Sequence, residues 1–367
     1  MKLKTSLQIG ALTVAALVGL TGCATNESTP DTDSDAKAPE TSLSGSLVGA
    51  GASSQGEAQT AWIASFLEEQ PDVTINYDPA GSGTGRENFQ QGAASFAGSD
   101  RAFKLEEIEA GPFATCAADS GLVELPLYIS PIAVIFNLDG VDSLNLDAET
   151  LAKIFVGDIT KWNDPAIASQ NEGTDLPDLA ITPVHRSDKS GTTGNFTDYL
   201  GAAAADVWTH GSVEEWPVDG GEAAAQTSGL VSAVEGGNGT IGYADASRAG
   251  DLGTVSIKVG DEYVAYSPEA AAAVVDASPL EEGRSDADLA IALDRTTEAA
   301  GVYPIVLISY LIGCETYDDS AVAPLVKEYF SYAASEAGQK IAADNAGSAP
   351  ISSELRTQIE KAIDTIK

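Results

Sequence analysis

Residues 46–100 read SLVGAGASSQGEAQTAWIASFLEEQPDVTINYDPAGSGTGRENFQQGAASFAGSD, and one device recurs in them three times. SLVGAG (46–51) is a short apolar strand running into glycines. Ser53 and Ser54 then precede Ala58, Trp62 and Phe66, whose four-residue spacing marks one face of a helix with hydroxyls at its start. Pro71 stops that helix, Val73, Ile75 and Tyr77 alternate as a strand, and the strand runs into DPAGSGTGREN (78–88). ASFAGSD (94–100) is a third strand and turn, ending at Asp100. Strands that repeatedly feed Gly/Ser loops predict an open α/β sheet whose loops gather on one edge, where such sheets bind ligands.

The rest of the chain continues the pattern. LYISPIAVIFN (127–137) reads as a buried strand followed by a helical KIFVGDITKWNDPAI (153–167). ITPVHRSD (181–188) is a strand ending in a loop that a helix from Thr193 to Leu200 closes. A helix, a glycine turn and a strand (Thr240–Tyr243) come next, then a charged helical segment over 281–301, a buried strand VYPIVLISYLI (302–312) and two closing helices. No internal repeat is visible. A length of 367 residues exceeds what one core usually takes and predicts two lobes.

Acidic residues outnumber basic ones 55 to 19, for a formal net charge of −36. Nucleic-acid binding needs the opposite balance and is excluded as a function. The acidity serves solubility, and any anion must be held by short-range donors, helped by screening over about 8 Å at physiological salt.

Lys2 and Lys4 precede an apolar run from Leu7 to Leu20, too short for a membrane span and of signal-peptide length. Leu20-Thr21-Gly22-Cys23 resembles a bacterial lipobox, so residues 1–22 read as a lipoprotein signal peptide and Cys23 as the lipidated residue. Residues 23–44 hold almost no large apolar side chain and read as a disordered tether to the outer face of a membrane. In an exported chain Cys116 and Cys314 read as a disulfide, the alternative being two buried thiols. His185 and His210 lack the cysteine spacing of a zinc site, so no metal is expected, and no cofactor.

GAGASS (49–54) lacks the third glycine of a dinucleotide loop, and no loop ends as a P-loop or forms a G-x-S-x-G elbow. Taken singly, each Gly/Ser loop is turn chemistry with a helix cap. Taken together, GAGASS, GSGTG (81–85) and SGTTG (190–194) would aim unpaired helix-start amides and hydroxyls at one place. Arg186 adds a planar guanidinium suited to an oxyanion, and Asp188 either holds that guanidinium or caps the next helix. Asp100 is the odd member, because a carboxylate repels an anion unless the anion has a proton to give. Orthophosphate near neutral pH keeps a proton and sulfate keeps none, so an unprotonated Asp100 would select phosphate; its other reading is a helix cap.

These segments together resemble the PstS family, the phosphate-binding component of phosphate ABC importers, over essentially the whole chain after the tether. KIFVGDITKWND (153–164), Trp216-Pro217 and Gly239-Thr240-Ile241-Gly242-Tyr243 extend the resemblance. It implies a two-lobed periplasmic-binding-protein fold of type II, with a ligand cleft between lobes joined by two crossover strands. Lobe 1 would be residues 45–127 plus 302–367 and lobe 2 residues 128–301, which puts both remaining cysteines in lobe 1. It implies phosphate contacts from Ala52, Ser53, Ser54, Ser82, Asp100, Arg186, Ser190, Gly191 and Thr192, with Asp188 behind Arg186. The implied partners are inorganic phosphate, an ABC permease and the membrane through a lipid anchor. Two positions depart from the pattern: Ser54 stands where an aromatic is common, and Arg101 where a small residue is, the latter expected to face solvent. The competing readings are a secreted phosphatase-like enzyme, for which His185 is the candidate base, and a sulfate or molybdate binder.

Overall fold

A computed structural model describes residues 43–367; the expected signal peptide, Cys23 and all of the tether but residues 43 and 44 lie outside the described residues. The first half of the chain runs β1 (Gly45–Gly51), α1 (Gly56–Glu69), β2 (Val73–Asp78), α2 (Ser82–Gln90), β3 (Phe96–Ser99), α3 (Leu105–Ala110) and β4 (Leu122–Asn137). Then follow β5 (Ser143–Leu146), α4 (Ala148–Val156), α5 (Pro165–Ala168), β6 (Thr182–Arg186), α6 (Gly191–Ala203), β7 (Glu222–Ala224), α7 (Gln226–Gly236) and β8 (Thr240–Asp245). The chain finishes with β9 (Gly253–Val259), β10 (Glu262–Val264), α8 (Pro268–Ala277), β11 (Val306–Cys314), α9 (Ala323–Ala334), α10 (Glu336–Ala346) and α11 (Ser353–Ile363).

The strands join in the order β2-β1-β3-β11-β4-β8-β6-β7, with β9 bonded to β4, β5 and β10. β1 runs parallel to β2 and β3, as strand–helix–strand units require, and β11 returns antiparallel between β3 and β4. The long strand β4 makes one curled sheet out of two lobes. Its residues Leu122–Pro131 pair with β11, and Ile132–Asn137 pair with β8. The partner changes at Pro131, which has no N–H to offer a ladder. A register shift at Ser309/Tyr310 drops Leu127 from the pairing, and Gln339 Nε2 donates to its carbonyl at 3.0 Å instead. Trp62, Phe66, Phe96, Tyr329 and Phe330 fill one side of the core, and Phe155, Phe196, Trp208 and Tyr243 the other.

Three sequence expectations need correction. The segment 281–301 is not a helix but turns and isolated bridges, because Arg284, Asp288 and Arg295 are drawn into the protein while Glu281, Glu282, Asp286, Asp294 and Glu298 stay exposed. Arg284 is bonded to Glu124 and Asp288, and Arg295 to the carbonyls of Pro304 and Val306. The helix expected over 153–167 ends at Val156, where Gly157 takes the left-handed conformation (φ +86°) that closes a helix, and resumes only for one turn at Pro165. The chain closes with three helices rather than two, since Ser335 ends α9 and caps α10 with its hydroxyl on the Gly338 amide.

Cys116 and Cys314 form a disulfide across 198 residues of chain, with Cα atoms 5.4 Å apart. Closing so long a loop restricts the unfolded chain, so reduction should lower unfolding stability by roughly 3–5 kcal/mol. Urea unfolding of the Cys116→Ala/Cys314→Ala variant beside the oxidised protein measures this, and equal midpoints would refute it.

A second stability term sits where β4 changes partner. Tyr128 Oη donates to both carboxylate oxygens of Asp245 at 3.0 Å, and the Ser247 amide caps the same group at 3.0 Å. Burial pushes the pKa of Asp245 from 3.8 up to about 6, against the hydrogen bonds that pull it down. The folded carboxyl keeps a proton that the unfolded one has lost, so this group's contribution to stability falls as pH rises from about 4 to 6. Asp245→Asn should gain on the wild type by roughly 3 kcal/mol across that window, the equivalent of about two pKa units. A stability difference between the two proteins that stays constant with pH would reject it.

Candidate functional site

The Gly/Ser loops after β1, β2 and β3 and the start of α6 converge on one buried point. The β1–α1 loop is tied to its neighbours by Ala52 N–H on the Gly98 carbonyl (2.8 Å) and by the Gly81 amide on the Gly51 carbonyl (2.7 Å). The Ala52 amide is therefore already bonded within the protein and is not a free donor, contrary to the sequence reading. The amides of Ser53 and Ser54 have no backbone partner among the described residues. Ser82 opens α2, and Gly191 and Thr192 open α6, at positions whose amides have no carbonyl one turn back. Ser190 caps α6, its hydroxyl accepting from Thr193 N at 3.2 Å while keeping its own proton to donate. Residue 191 must be glycine because α6 abuts the opposite loops: a Cβ there would lie 2.5 Å from Ser82 Oγ and 2.6 Å from Asp100 Cβ.

Asp100 sits at the centre, 3% exposed. Its Oδ1 accepts from Ser54 Oγ and Ser309 Oγ, both at 2.6 Å, and its Oδ2 accepts from Thr192 Oγ1 at 3.0 Å. The Asp100 amide donates to Ser82 Oγ at 3.1 Å, and its carbonyl accepts from Asn195 Nδ2 at 2.6 Å. Burial raises the carboxyl's pKa, while the three hydroxyls and the Arg186 charge pull the other way. Asp100 is thus a hydrogen-bonded acid in the middle of the site, not a helix cap.

Arg186 reaches the same point from β6. Its Nε donates to Asp188 Oδ1 at 2.7 Å, and Nη2 donates to Asp188 Oδ2 and to Ser53 Oγ, the latter at 3.2 Å. Nη1 has no hydrogen-bond partner among the described residues. Asp188 also accepts from the Gln226 amide at 2.9 Å, so it orients the guanidinium and fastens α7, while capping of α6 falls to Ser190. Burial works to raise the pKa of Asp188, but the Arg186 hydrogen bond and charge outweigh it and hold the carboxyl below its usual range. Thr227 on α7 is bonded to Ser53 Oγ through its amide (3.2 Å) and hydroxyl (3.0 Å).

Beside this point opens a cavity of about 870 Å³, lined among others by Asp100, Gly191, Arg101 and Glu214. Arg101 does not face solvent as expected. It pairs with Glu107 on α3 and, at 3.0 Å, with Glu214, because these two carboxylates lie within reach and the guanidinium folds onto them. Glu214 also pairs with the buried Arg86 of α2. Burial works to raise the pKa of Glu214, and the charges of Arg86 and Arg101 overcome it and hold it low. His185 points elsewhere: its ring stacks on Trp216 with centroids 5.1 Å apart, and Nε2 meets the Gly220 carbonyl at 3.2 Å.

Sequence reasoning missed Ser309, Thr227, Asn195 and Glu214. Ser309 alone carried a signal, as a hydroxyl inside the apolar run VLISYLI (306–312) that a buried strand has no reason to hold unpaired.

A family model described as a PBP superfamily domain matches residues 36–337. The phosphate-binding protein PstS 3 of Mycobacterium tuberculosis is 35% identical over 324 residues, covering 87% of this chain and 86% of its own. This chain belongs to the PstS family. Another PstS 3, from Mycobacterium leprae, is 32% identical over 364 residues, 98% of this chain and 97% of its own. A high affinity periplasmic phosphate-binding protein (PfluDING), solved with phosphate, shares the fold at a TM-score of 0.69 and 21% identity, covering 86% of this chain and 93% of its own. The PstS-family fold carries Arg86 and Glu214 to one buried contact from elements 128 residues apart in sequence. Glu214→Gln leaves the Arg86 guanidinium buried beside a neutral amide and should destabilise by roughly 3–5 kcal/mol in urea unfolding. A loss under about 1 kcal/mol would place the pair with exposed ion pairs instead.

Proposed function

We propose that this chain captures inorganic phosphate outside the cytoplasm and hands it to the permease of an ABC importer. It is a solute-binding protein, not an enzyme. The observation that carries the reading is a buried carboxylate facing a ring of donors. The amides of Ser53, Ser54, Ser82, Gly191 and Thr192, the hydroxyls of Ser82 and Ser190, and Arg186 Nη1 would surround one tetrahedral anion. Thr192 and Ser54 contribute through their amides, since their hydroxyls serve Asp100. Oδ2 of Asp100 carries one protein hydrogen bond and keeps a lone pair for a proton on the ligand. Phosphate supplies that proton and sulfate meets a buried like charge, so selectivity follows from what the ligand lacks.

In this reading lobe 1 comprises residues 45–127 and 302–367, and lobe 2 residues 128–301. Contacts such as Arg186 to Ser53 and Thr192 to Asp100 form as the lobes close on the ligand, by the hinged closure that periplasmic binding proteins share. The signal peptide (1–22) and lipidated Cys23 would hold the protein by the tether 23–44 at the outer membrane face, within reach of the permease. The base that a phosphatase reading offered, His185, is stacked on Trp216 and turned from the site. Sulfate and molybdate readings conflict with Asp100 for the reason just given.

Calorimetric titration of the purified chain, stripped of anion, tests this with phosphate and sulfate separately. Phosphate should bind one to one and sulfate give no heat. Arg186→Gln should weaken phosphate binding roughly 10- to 100-fold, the value of a charged hydrogen bond. Asp100→Asn should admit sulfate. Comparable sulfate and phosphate affinities in the wild type, or no binding of either, would overturn the reading.

A further inference from the structure

Asp100 Oδ1 is the end of a buried hydrogen-bond chain that runs back into the lobe 1 core. Tyr329 Oη donates to Gln59 Oε1 at 2.6 Å, and Gln59 Nε2 donates to Gln55 Oε1 at 2.8 Å. Gln55 Nε2 donates to Ser309 Oγ at 2.6 Å and to the Tyr310 carbonyl at 3.1 Å. Ser309 Oγ then meets Asp100 Oδ1 at 2.6 Å. Tyr329, Gln59, Gln55 and Ser309 are each at most 1% exposed, so water cannot substitute for any link.

The direction of this chain is fixed by chemistry. A backbone carbonyl only accepts, so the Gln55 atom bonded to Tyr310 O must be the NH₂, and the same NH₂ faces Ser309. Ser309 therefore accepts from Gln55, and its own hydrogen is directed onto Asp100 Oδ1. Ser54 gives a second hydrogen to the same oxygen. A proton on Oδ1 would confront two donors already aimed at it. Oδ1 is confined to accepting, and Oδ2 is the oxygen left to face the ligand.

We propose that the chain Tyr329–Gln59–Gln55–Ser309 fixes Asp100 as an unprotonated acceptor, making Ser309 and Gln55 specificity-determining positioning residues that need no contact with the anion. The inference rests on the phosphate reading above and deepens it. The groups bearing on Asp100 from its surroundings are few. Arg186 from β6 contributes a positive charge, and the Tyr77 phenol from β2 is itself pushed up, by burial and then by the Asp100 charge. The α1 approach, α2, α6 and β11 present the neutral Ser54, Ser82, Thr192, Asn195 and Ser309. Arg101, next in sequence, is turned away onto Glu107 and Glu214. With so little charge nearby, the hydroxyls on Oδ1 have a large say in whether the acid is ionised.

The test is the pH dependence of phosphate and sulfate binding by the full chain, measured from pH 4 to 8 by calorimetry. Ser309→Ala removes a donor to a charged acceptor, which should move the acid limb of phosphate binding upward by about one pH unit or more. At pH 8 its phosphate affinity should stay within about threefold of wild type, and below the new midpoint sulfate binding should appear. Ser309→Thr keeps the hydroxyl and should restore the wild-type profile. Tyr329→Phe, which is nearly isosteric, should shift the limb in the same direction by less, and it keeps the question open to measurement if Ser309→Ala folds poorly. A phosphate-binding Ser309→Ala with an unmoved acid limb overturns the chain's role while leaving the phosphate reading intact. Equal weakening at every pH assigns Ser309 a packing role and also overturns it. A wild type that binds no phosphate at any pH overturns both.

Discussion

A carboxylate taken out of water has to be met by donors, and at Asp100 that requirement organises the fold around it. The donors come from four separate parts of the chain: Ser54 after β1, Thr192 on α6, Ser309 on β11 and, through its charge, Arg186 on β6. Loss of Ser54 or Ser309 would leave a buried acceptor short, at a cost of about 1–3 kcal/mol each, whereas Thr192 is the donor that the proposed opening of the lobes would withdraw. Gly191 is glycine because a side chain there would collide with Ser82 and Asp100, and β11, lying between β3 and β4, carries Ser309 to the same group.

The same constraint explains how a chain with a net charge of −36 can host an anion. Distant charge is screened within about a Debye length, whereas helix-start amides act at hydrogen-bond range. The nearby acids are also occupied. Asp188 is paired with Arg186, Glu107 with Arg101, and Glu214 with Arg86 and Arg101. Each pairing leaves the local field close to neutral, so the remaining free donors decide the sign of what fits. The acidity belongs to the surface and the site is insulated from it.

Local patterns in the sequence are enough to locate the parts that depend on near neighbours. Glycine and hydroxyl residues ahead of a helical period mark each loop, and the alternation of Val73, Ile75 and Tyr77 marks β2. What stays hidden depends on partners far away in the chain. Ser309 and Gln55 are 254 residues apart, and Glu214 finds its arginines across 128 and 113 residues. The segment 281–301 misleads for the same reason: Arg284 reaches Glu124, and Arg295 reaches Asp198 and the carbonyl of Pro304, none of them readable from the local spacing of charges. Arg101 escapes a local reading because, although Glu107 lies six residues on, the buried Glu214 that also draws it in comes from a loop 113 residues away.

In the proposed reading, closure and chemistry are also linked through shared hydroxyls. Thr192 gives its hydrogen to Asp100, and Ser53 accepts from Arg186, across what the proposed boundaries make two lobes, while the amides of the same two residues are unpartnered among the described residues. Side chains thus join lobe to lobe, and backbone groups at the same positions are left for a ligand. An anion at that point would add bonds to both lobes without displacing those that already join them, so its binding free energy and that of closure would reinforce one another. A ligand lacking a proton would forfeit this advantage, because the repulsion it met at Oδ2 would act along the very contact, Thr192 to Asp100, that joins α6 to the end of β3.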